Sequence, residues 1–292
     1  MMDYPALAAL AAVLRTGSFD LAASALAVTP SAVSQRVRGL EERLGAVLVE
    51  RGRPCRATAA GARLLRHHDE VRLLEAGLDR EIGVADSGWP TVHLAVNADS
   101  LATWFLPALA GHEMLFDLSI DDQEHSADQL RRGAVSAAVT SRSGPVQGCD
   151  SEPLGALRYR AMARRDVAER WFPEGVDATA LAAAPSLVYD ARDRLQADWA
   201  ERVSGRPVAL PAHRIASTQG FLDAVRLGLG WAMIPEVMLP EDRDLVELSP
   251  VPLDTPLHWQ VARGMAGPLE ALTRAVRRAA RAALVQNGTS SA

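Results

Sequence analysis

Between Thr29 and Arg38 the chain reads TPSAVSQRVR, and its polar side chains are of the types that read nucleic acid. An amide such as Gln35 can bond a base edge bidentately, a guanidinium such as Arg38 can do the same, and Ser31 and Ser34 can bond phosphate or bases. Arginines gather around this stretch. From Pro30 to Arg66 lie Arg36, Arg38, Arg43, Arg51, Arg53, Arg56, Arg63 and Arg66 against Glu41, Glu42 and Glu50, although the chain of 292 residues carries a net charge of −5. Such a local excess is what a domain facing phosphate requires. Taken alone, the polar face of this segment also fits a solvated helix surface.

A second set of residues suits a small charged ligand. LAVNADSLATWFLPAL has the order strand, polar loop, helix, with Asp99 or Ser100 as the cap, and a helix N-terminus can receive a carboxylate. An ordinary strand-to-helix connection has the same order. In DLSIDDQEH, Asp121, Asp122 and Glu124 cluster behind a strand-like run, which suits a cation, though acidic loops are usually solvated. HRIASTQGFLDAVRLGLGWAMIPE repeats the strand, loop, helix order with Ser217, Thr218 and Gln219 in the loop. A helix end for a carboxylate together with acids for an ammonium or guanidinium is what a basic amino acid needs.

Nothing comparable speaks for catalysis. The 7 histidines show no H-E-x-x-H spacing, there is no C-x-x-C, G-x-S-x-G or P-loop, and Gly228 with Gly230 lacks the third glycine of a dinucleotide loop. No cofactor or metal is called for, and the chain is not read as an enzyme. His67 and His68 are expected on the surface of a helix.

The elements that would position these residues follow from periodicity and caps. Tyr4 to Thr16 is a helix ended by Gly17, Ser18 caps a short helix from Phe19 to Leu26, and Val28 is the buried turn residue. Thr29 caps the next helix with Pro30 at its first position, and Val33, Val37, Leu40 and Leu44 form its inward stripe until Gly45. Ala46 to Val49, the turn Arg51 to Pro54 and a return strand make a wing. Thr58 then caps a long helix carrying Leu64, Leu65, Val71, Leu74, Leu78 and Ile82, and its unpartnered stripe suggests a dimer. The helix should end near Gly83. Beyond it strand-like runs (Val92 to Val96, Leu115 to Ile120, Ala134 to Thr140, Ser186 to Tyr189, Ala232 to Ile234, Leu257 to Ala262) alternate with helical ones, which predicts an α/β sheet architecture in two lobes.

From Phe19 to Gly61 the chain closely resembles the DNA-binding region of LysR-type regulators. The matching parts are A-A-x-x-L at Ala22 to Leu26, S-x-V-S-x-R-V at Ser31 to Val37, L-E-x-x-L-G at Leu40 to Gly45, L-x-x-R at Leu48 to Arg51 and T-x-x-G at Thr58 to Gly61. LAVNADSLATWFLPAL, LGAL at Leu154 to Leu157, RWFPEGV at Arg170 to Val176 and GWAMIP resemble the ArgP/LysG branch, and the similarity runs along nearly the whole chain. That branch responds to lysine or arginine and activates a basic-amino-acid exporter. The resemblance implies an α+β winged helix-turn-helix over residues 1–60 and a linker and dimerisation helix over 61–86. A two-lobed α/β periplasmic-binding-protein-like effector domain would fill 87–292, lobe I spanning about 87–160 and 263–292 and lobe II about 161–262.

It further implies DNA contacts from Thr29, Pro30, Ser31, Ser34, Gln35, Arg38, Arg51 and Arg53. Effector contacts are expected from Asn97, Asp99, Ser100, Leu101, Ala102, Thr103, Asp122, Thr140, Ser217, Thr218 and Gln219. Expected partners are double-stranded promoter DNA, a basic amino acid (lysine, arginine or histidine), RNA polymerase, and a second copy in a homodimer or tetramer. No membrane partner is expected: no uncharged stretch approaches the ~18 residues of a span, and the apolar N-terminus lacks the pattern of a signal peptide. Two isolated cysteines, Cys55 and Cys149, fit the cytoplasm. A nucleoid protein of low sequence preference, or a LysR-type regulator with another effector, remain open as alternatives.

Overall fold

A computed structural model describes residues 3–83, 89–120, 123–141 and 144–286. The first three helices are α1 (Tyr4–Thr16), α2 (Phe19–Ala25) and α3 (Pro30–Leu44). Their caps are those the residue types call for: Asp3, Ser18 and Thr29 accept backbone N–H groups of α1, α2 and α3. Leu7, Leu10, Val13, Ala22, Val33, Val37, Leu40 and Leu48 form one buried cluster between them. Leu44, expected on the inward stripe, is 48% exposed: it is the last helical residue before Gly45 turns left-handed.

The wing is the antiparallel pair β1 (Val49–Glu50) and β2 (Arg56–Ala57). Glu41 explains its attachment, because one carboxylate oxygen accepts the backbone N–H of Leu48 at 2.8 Å and of Val49 at 3.3 Å. Thr58 caps α4 (Ala59–Ile82) and also donates to the carbonyl of Val47 at 2.8 Å. Gly61 is required here: a Cβ on it would stand 2.0 Å from the carbonyl oxygen of Leu48. The helix ends at Gly83, as its sequence predicts.

The faces of α4 divide. Leu64 packs on the helix-turn-helix core, Leu73 enters the core of the larger domain, and Leu74, Leu78 and Ile82 are exposed at 45%, 55% and 63%.

The larger domain is built on one seven-stranded mixed sheet in the order β10-β6-β11-β5-β3-β4, with β9 also paired to β6. In chain order its elements are β3 (Thr91–Val96), the turn α5 (Ala98–Ser100) extended by a wide turn and a tight turn to Leu109, β4 (Leu115–Ile120), α6 (Gln123–Arg131), β5 (Ala137–Thr140) and β6 (Cys149–Arg164). Then come α7 (Arg165–Trp171), α8 (Ala178–Ala183), β7 (Ser186–Val188), α9 (Leu195–Ser204), β8 (Ala212–Arg214), α10 (Thr218–Arg226), β9 (Ala232–Pro235), β10 (Leu245–Glu247), β11 (Leu253–Ala262) and α11 (Glu270–Ala283).

β3 lies parallel between β4 and β5 in lobe I, whereas β9 and β10 join the far end of β6 in lobe II. The long antiparallel strands β6 and β11 run through both lobes. Their register slips between Leu257 and His258, opposite Gly155, whose φ is +116° and where an added Cβ would stand 2.7 Å from the carbonyl oxygen of Val285, so only glycine suits. The largest fully buried side chains of this domain include Trp199, Trp231 and Trp259.

Candidate DNA-binding and effector sites

Thr29 ends the α2–α3 turn in extended conformation, so its hydroxyl is free to accept the N–H of Ala32 at 3.2 Å and to bond Ser31 at 3.0 Å. Pro30 fixes the first turn of α3. Ser31, Gln35 and Arg38 are exposed and Ser34 is half-buried, on the side away from buried Val33 and Val37. A polar N-terminal face held by an apolar opposite face is the geometry of a helix that enters the major groove. On the wing, a hollow of about 340 Å³ is lined by Glu50, Arg51, Gly52, Arg53, Pro54 and Arg56. Arg51 sits over the Phe19 ring at 5.4 Å from its centre, a cation–π contact that ties the wing to α2.

In the sensor, Asn97 and not Asp99 or Ser100 caps the turn after β3. Its side-chain oxygen accepts the N–H of Ser100 at 2.7 Å. The strand ends at Val96, as expected, so Asn97 is the residue in the capping position and the Asp99 carboxylate is free of that role. One of its oxygens accepts the hydroxyl of Tyr159 at 2.6 Å and the other accepts the hydroxyl of Thr218 at 2.6 Å. Asp99 belongs to lobe I, whereas Thr218 opens α10 of lobe II.

Neighbouring groups share this character. Tyr159 is held well above the ordinary phenol range, first by burial and then by the charge of Asp99. Asp193 is pushed up by burial, which outweighs the N–H groups of Tyr189 and Leu195 that it accepts, and the charges of Asp99 and Asp190 add to the rise. Two polar groups next to these acids are fully buried without a partner among the described residues: the hydroxyl of Ser100, which follows Asp99, and the amide of Gln196, three residues after Asp193. Facing carboxylates at a lobe junction carry an electrostatic cost that a ligand cation would relieve.

The other expected effector residues are placed as follows. Thr103 donates back to the carbonyl of Asp99 at 2.5 Å; Leu101 is half-buried on the core, and Ala102 is exposed. Ser217 caps α10 and Gln219 is exposed. Thr140 is buried and accepts the Gln260 amide at 3.0 Å, so its hydroxyl serves lobe I packing and is not joined to Asp99. Asp121 and Asp122 lie outside the described residues.

Tyr159 and Asp193 were not among the expected site residues. Tyr159 lies on β6, which sequence patterning did not read as a strand. Asp193 carried a local signal, since D-A-R-D ahead of a helix makes a turn in which Asp190 accepts the N–H groups of Arg192 and Asp193.

Comparison with known proteins covers both halves. Residues 5–62 match the family described as bacterial regulatory helix-turn-helix protein, lysR family, and residues 90–285 match the LysR substrate binding domain. The HTH-type transcriptional regulator LysG of Mycobacterium bovis is 44% identical over 284 residues, 96% of this chain and 94% of its own. The crystal structure of ArgP from Mycobacterium tuberculosis superposes with a TM-score of 0.80 at 42% identity, over 98% of this chain and 100% of that one. Full-length LysG from Corynebacterium glutamicum, with bound effector Arg, gives a TM-score of 0.67 at 34% identity over 97% and 100%.

Proposed function

Because the chain belongs to the LysR family of bacterial helix-turn-helix regulators, we propose that it controls transcription in response to arginine or lysine held between the sensor lobes. The observation that carries this reading is Asp99, a carboxylate of lobe I bonded to Thr218 of lobe II and electrostatically coupled to Asp193. An ammonium or guanidinium entering there gains charge-assisted hydrogen bonds and relieves the repulsion between the two acids. The arginine held by the C. glutamicum relative supports the same ligand class.

A ligand shifts the protein only by binding its two states unequally. Bridging from Asp99 to lobe II does so, because both lobes reach the ligand only when closed. On the DNA side, α3 enters the major groove with Ser31, Ser34, Gln35 and Arg38, and the wing arginines Arg51 and Arg53 meet phosphate. The exposed Leu74, Leu78 and Ile82 of α4 supply a pairing face for a second copy. The domain limits that fit this division are 1–60, 61–86 and 87–292. The proposed target is an exporter gene, whose product would relieve an excess of the amino acid sensed, with RNA polymerase as the further partner. Free Cys55 and Cys149 support a reducing cytoplasm.

Calorimetry of the full chain against arginine, lysine, histidine and glutamine tests this. Binding of arginine or lysine with no binding of glutamine is expected. Equal affinity for glutamine, or no binding of either cation, overturns the effector assignment.

A further inference from the structure

Asp69 stands where three parts of the chain meet. It lies on α4, is 2% exposed, and uses both carboxylate oxygens. One accepts the guanidinium of Arg15, from the last turn of α1, and faces Nδ1 of His68 at 3.4 Å. The other accepts Nε2–H of His93, on β3, at 2.8 Å. The second ring nitrogen of His93 meets Asp117 of β4 at 3.0 Å, so both nitrogens face carboxylates and both are placed to donate. Around this pair, α4 also brings Glu70, which is coupled to both Asp69 and His93 and is itself flanked by His67 and Arg66, and Arg66 donates to the carbonyl of Gly133 between α6 and β5 at 2.9 Å.

Arg15, Asp69 and His93 therefore link the helix-turn-helix, the linker and the sensor in one hydrogen-bonded chain. His93 is also on the strand that carries the effector site. β3 is hydrogen-bonded on both sides, by β4 and β5, with Val92, Leu94, Ala95 and Val96 buried. It then passes directly into Asn97, which caps the turn that presents Asp99. At about 3.3 Å per residue the joint lies roughly 13 Å along a stiff strand from Asn97.

We propose that Asp69 is the positioning residue through which closure of the sensor over Asp99 is transmitted to the DNA-binding helices, by way of His93 on one side and Arg15 on the other. For its ligand the proposal rests on the basic-amino-acid reading, but the joint itself does not. A carboxylate with three donors in a desolvated place is suited to this role, because moving β3 relative to α4 cannot leave it unpaired without cost. Small shifts of the strand are thereby converted into a change of domain orientation.

The test uses the full chain and the substitution Asp69→Asn, with two readouts. In amide exchange without any amino acid, the peptides covering α1 and β3 should exchange at least about tenfold faster in the variant; exchange within twofold of the parent protein overturns the joint. On a DNA duplex selected by the parent protein from a random pool, the variant should keep arginine affinity and ligand-free DNA affinity within about threefold while losing the arginine-induced change in footprint. A footprint response equal to that of the parent overturns the transmission. If Asp69→Asn does not fold, Arg15→Gln cuts the half-exposed arm alone and is read in the same two ways. Absence of arginine and lysine binding to the parent protein refutes the effector reading, and the amide exchange still decides the joint.

Discussion

The hydroxyl of Thr218 donates to the carboxylate of Asp99 at 2.6 Å although 119 residues separate them. With Tyr159 on the other oxygen, Asp99 has two hydroxyl donors and no cation bonded to it among the described residues. Asp99→Asn keeps the shape and removes the charge. The expected outcome is a loss of about 2 kcal/mol in arginine or lysine binding, near thirtyfold, from the weakening of a charge-assisted bond. DNA affinity without the amino acid should be unchanged. Calorimetry that finds undiminished affinity would remove Asp99 from the site.

The joint at Asp69 gives a pH dependence whose sign follows from the two shifts. Burial by itself raises the Asp69 pKa, but hydrogen bonds from His68 and His93 and the charge of Arg15 bring it to about 2. Burial lowers that of His93, and the bonds and charges of Asp69 and Asp117 outweigh it, so the net shift is upward. A depressed carboxyl contributes stability above its unfolded pKa, near 3.9, and loses it as pH falls toward the folded value; for Asp69 the contribution is roughly 2 kcal/mol. A raised imidazole contributes fully below its unfolded pKa, near 6.5, and loses it as pH rises through the folded value. Both are in force between about pH 4 and 6.5. Urea unfolding of the parent protein and His93→Gln should differ most in that window and converge by about pH 9; a difference that is flat with pH would contradict the pairing.

How much of this was legible in the sequence depended on how far the signals reach. The helix-turn-helix could be read because caps and stripes act within one or two turns: Ser18, Thr29 and Thr58 each bond their own helix. β6, the longest strand, could not. Its 16 residues begin CDSEPLG, with Pro153 and Gly155 reading as turn signals, and pairing along β11 is what holds this first part extended. The expected cap, Asp99 or Ser100, missed Asn97, which can cap equally well and which the end of β3 at Val96 puts in the capping position. The Asp69 joint was invisible for another reason. Its partners are 54 and 24 residues away on other elements, and His68, expected at the surface, has a side chain only 11% exposed.

The two kinds of DNA contact should separate cleanly. Gln35 is exposed on the face of α3 opposite its buried stripe, whereas Arg53 is on the wing. Gln35→Ala should cost about 1–3 kcal/mol on the preferred duplex and little on random DNA. Arg53→Ala should weaken both alike and reduce the slope of log K against log salt by about 1. Anisotropy titrations at several salt concentrations read both effects. Equal losses on both duplexes for Gln35→Ala would assign it to the backbone and not to base reading.

Gly61 tests the attachment of the wing to the linker helix. No side chain is tolerated there, because the carbonyl oxygen of Leu48 occupies the Cβ position to within 2.0 Å, with the carbonyl carbon at 3.0 Å. These are backbone atoms and cannot swing away like the end of a long side chain. The N–H of Leu48 is meanwhile held by Glu41, and the adjoining Val47 carbonyl by Thr58, so a shift of this segment also strains those bonds. Alanine favours a helix over glycine by up to ~1 kcal/mol, yet overpacking against fixed backbone costs ~1–3 kcal/mol or more. Gly61→Ala should therefore destabilise the chain, and DNA affinity should fall with it as the wing arginines shift. Gly39→Ala, on α3 where a Cβ meets nothing within 4 Å, is the control. It should be neutral or slightly stabilising in urea unfolding, and equal behaviour of the two variants would refute the close contact.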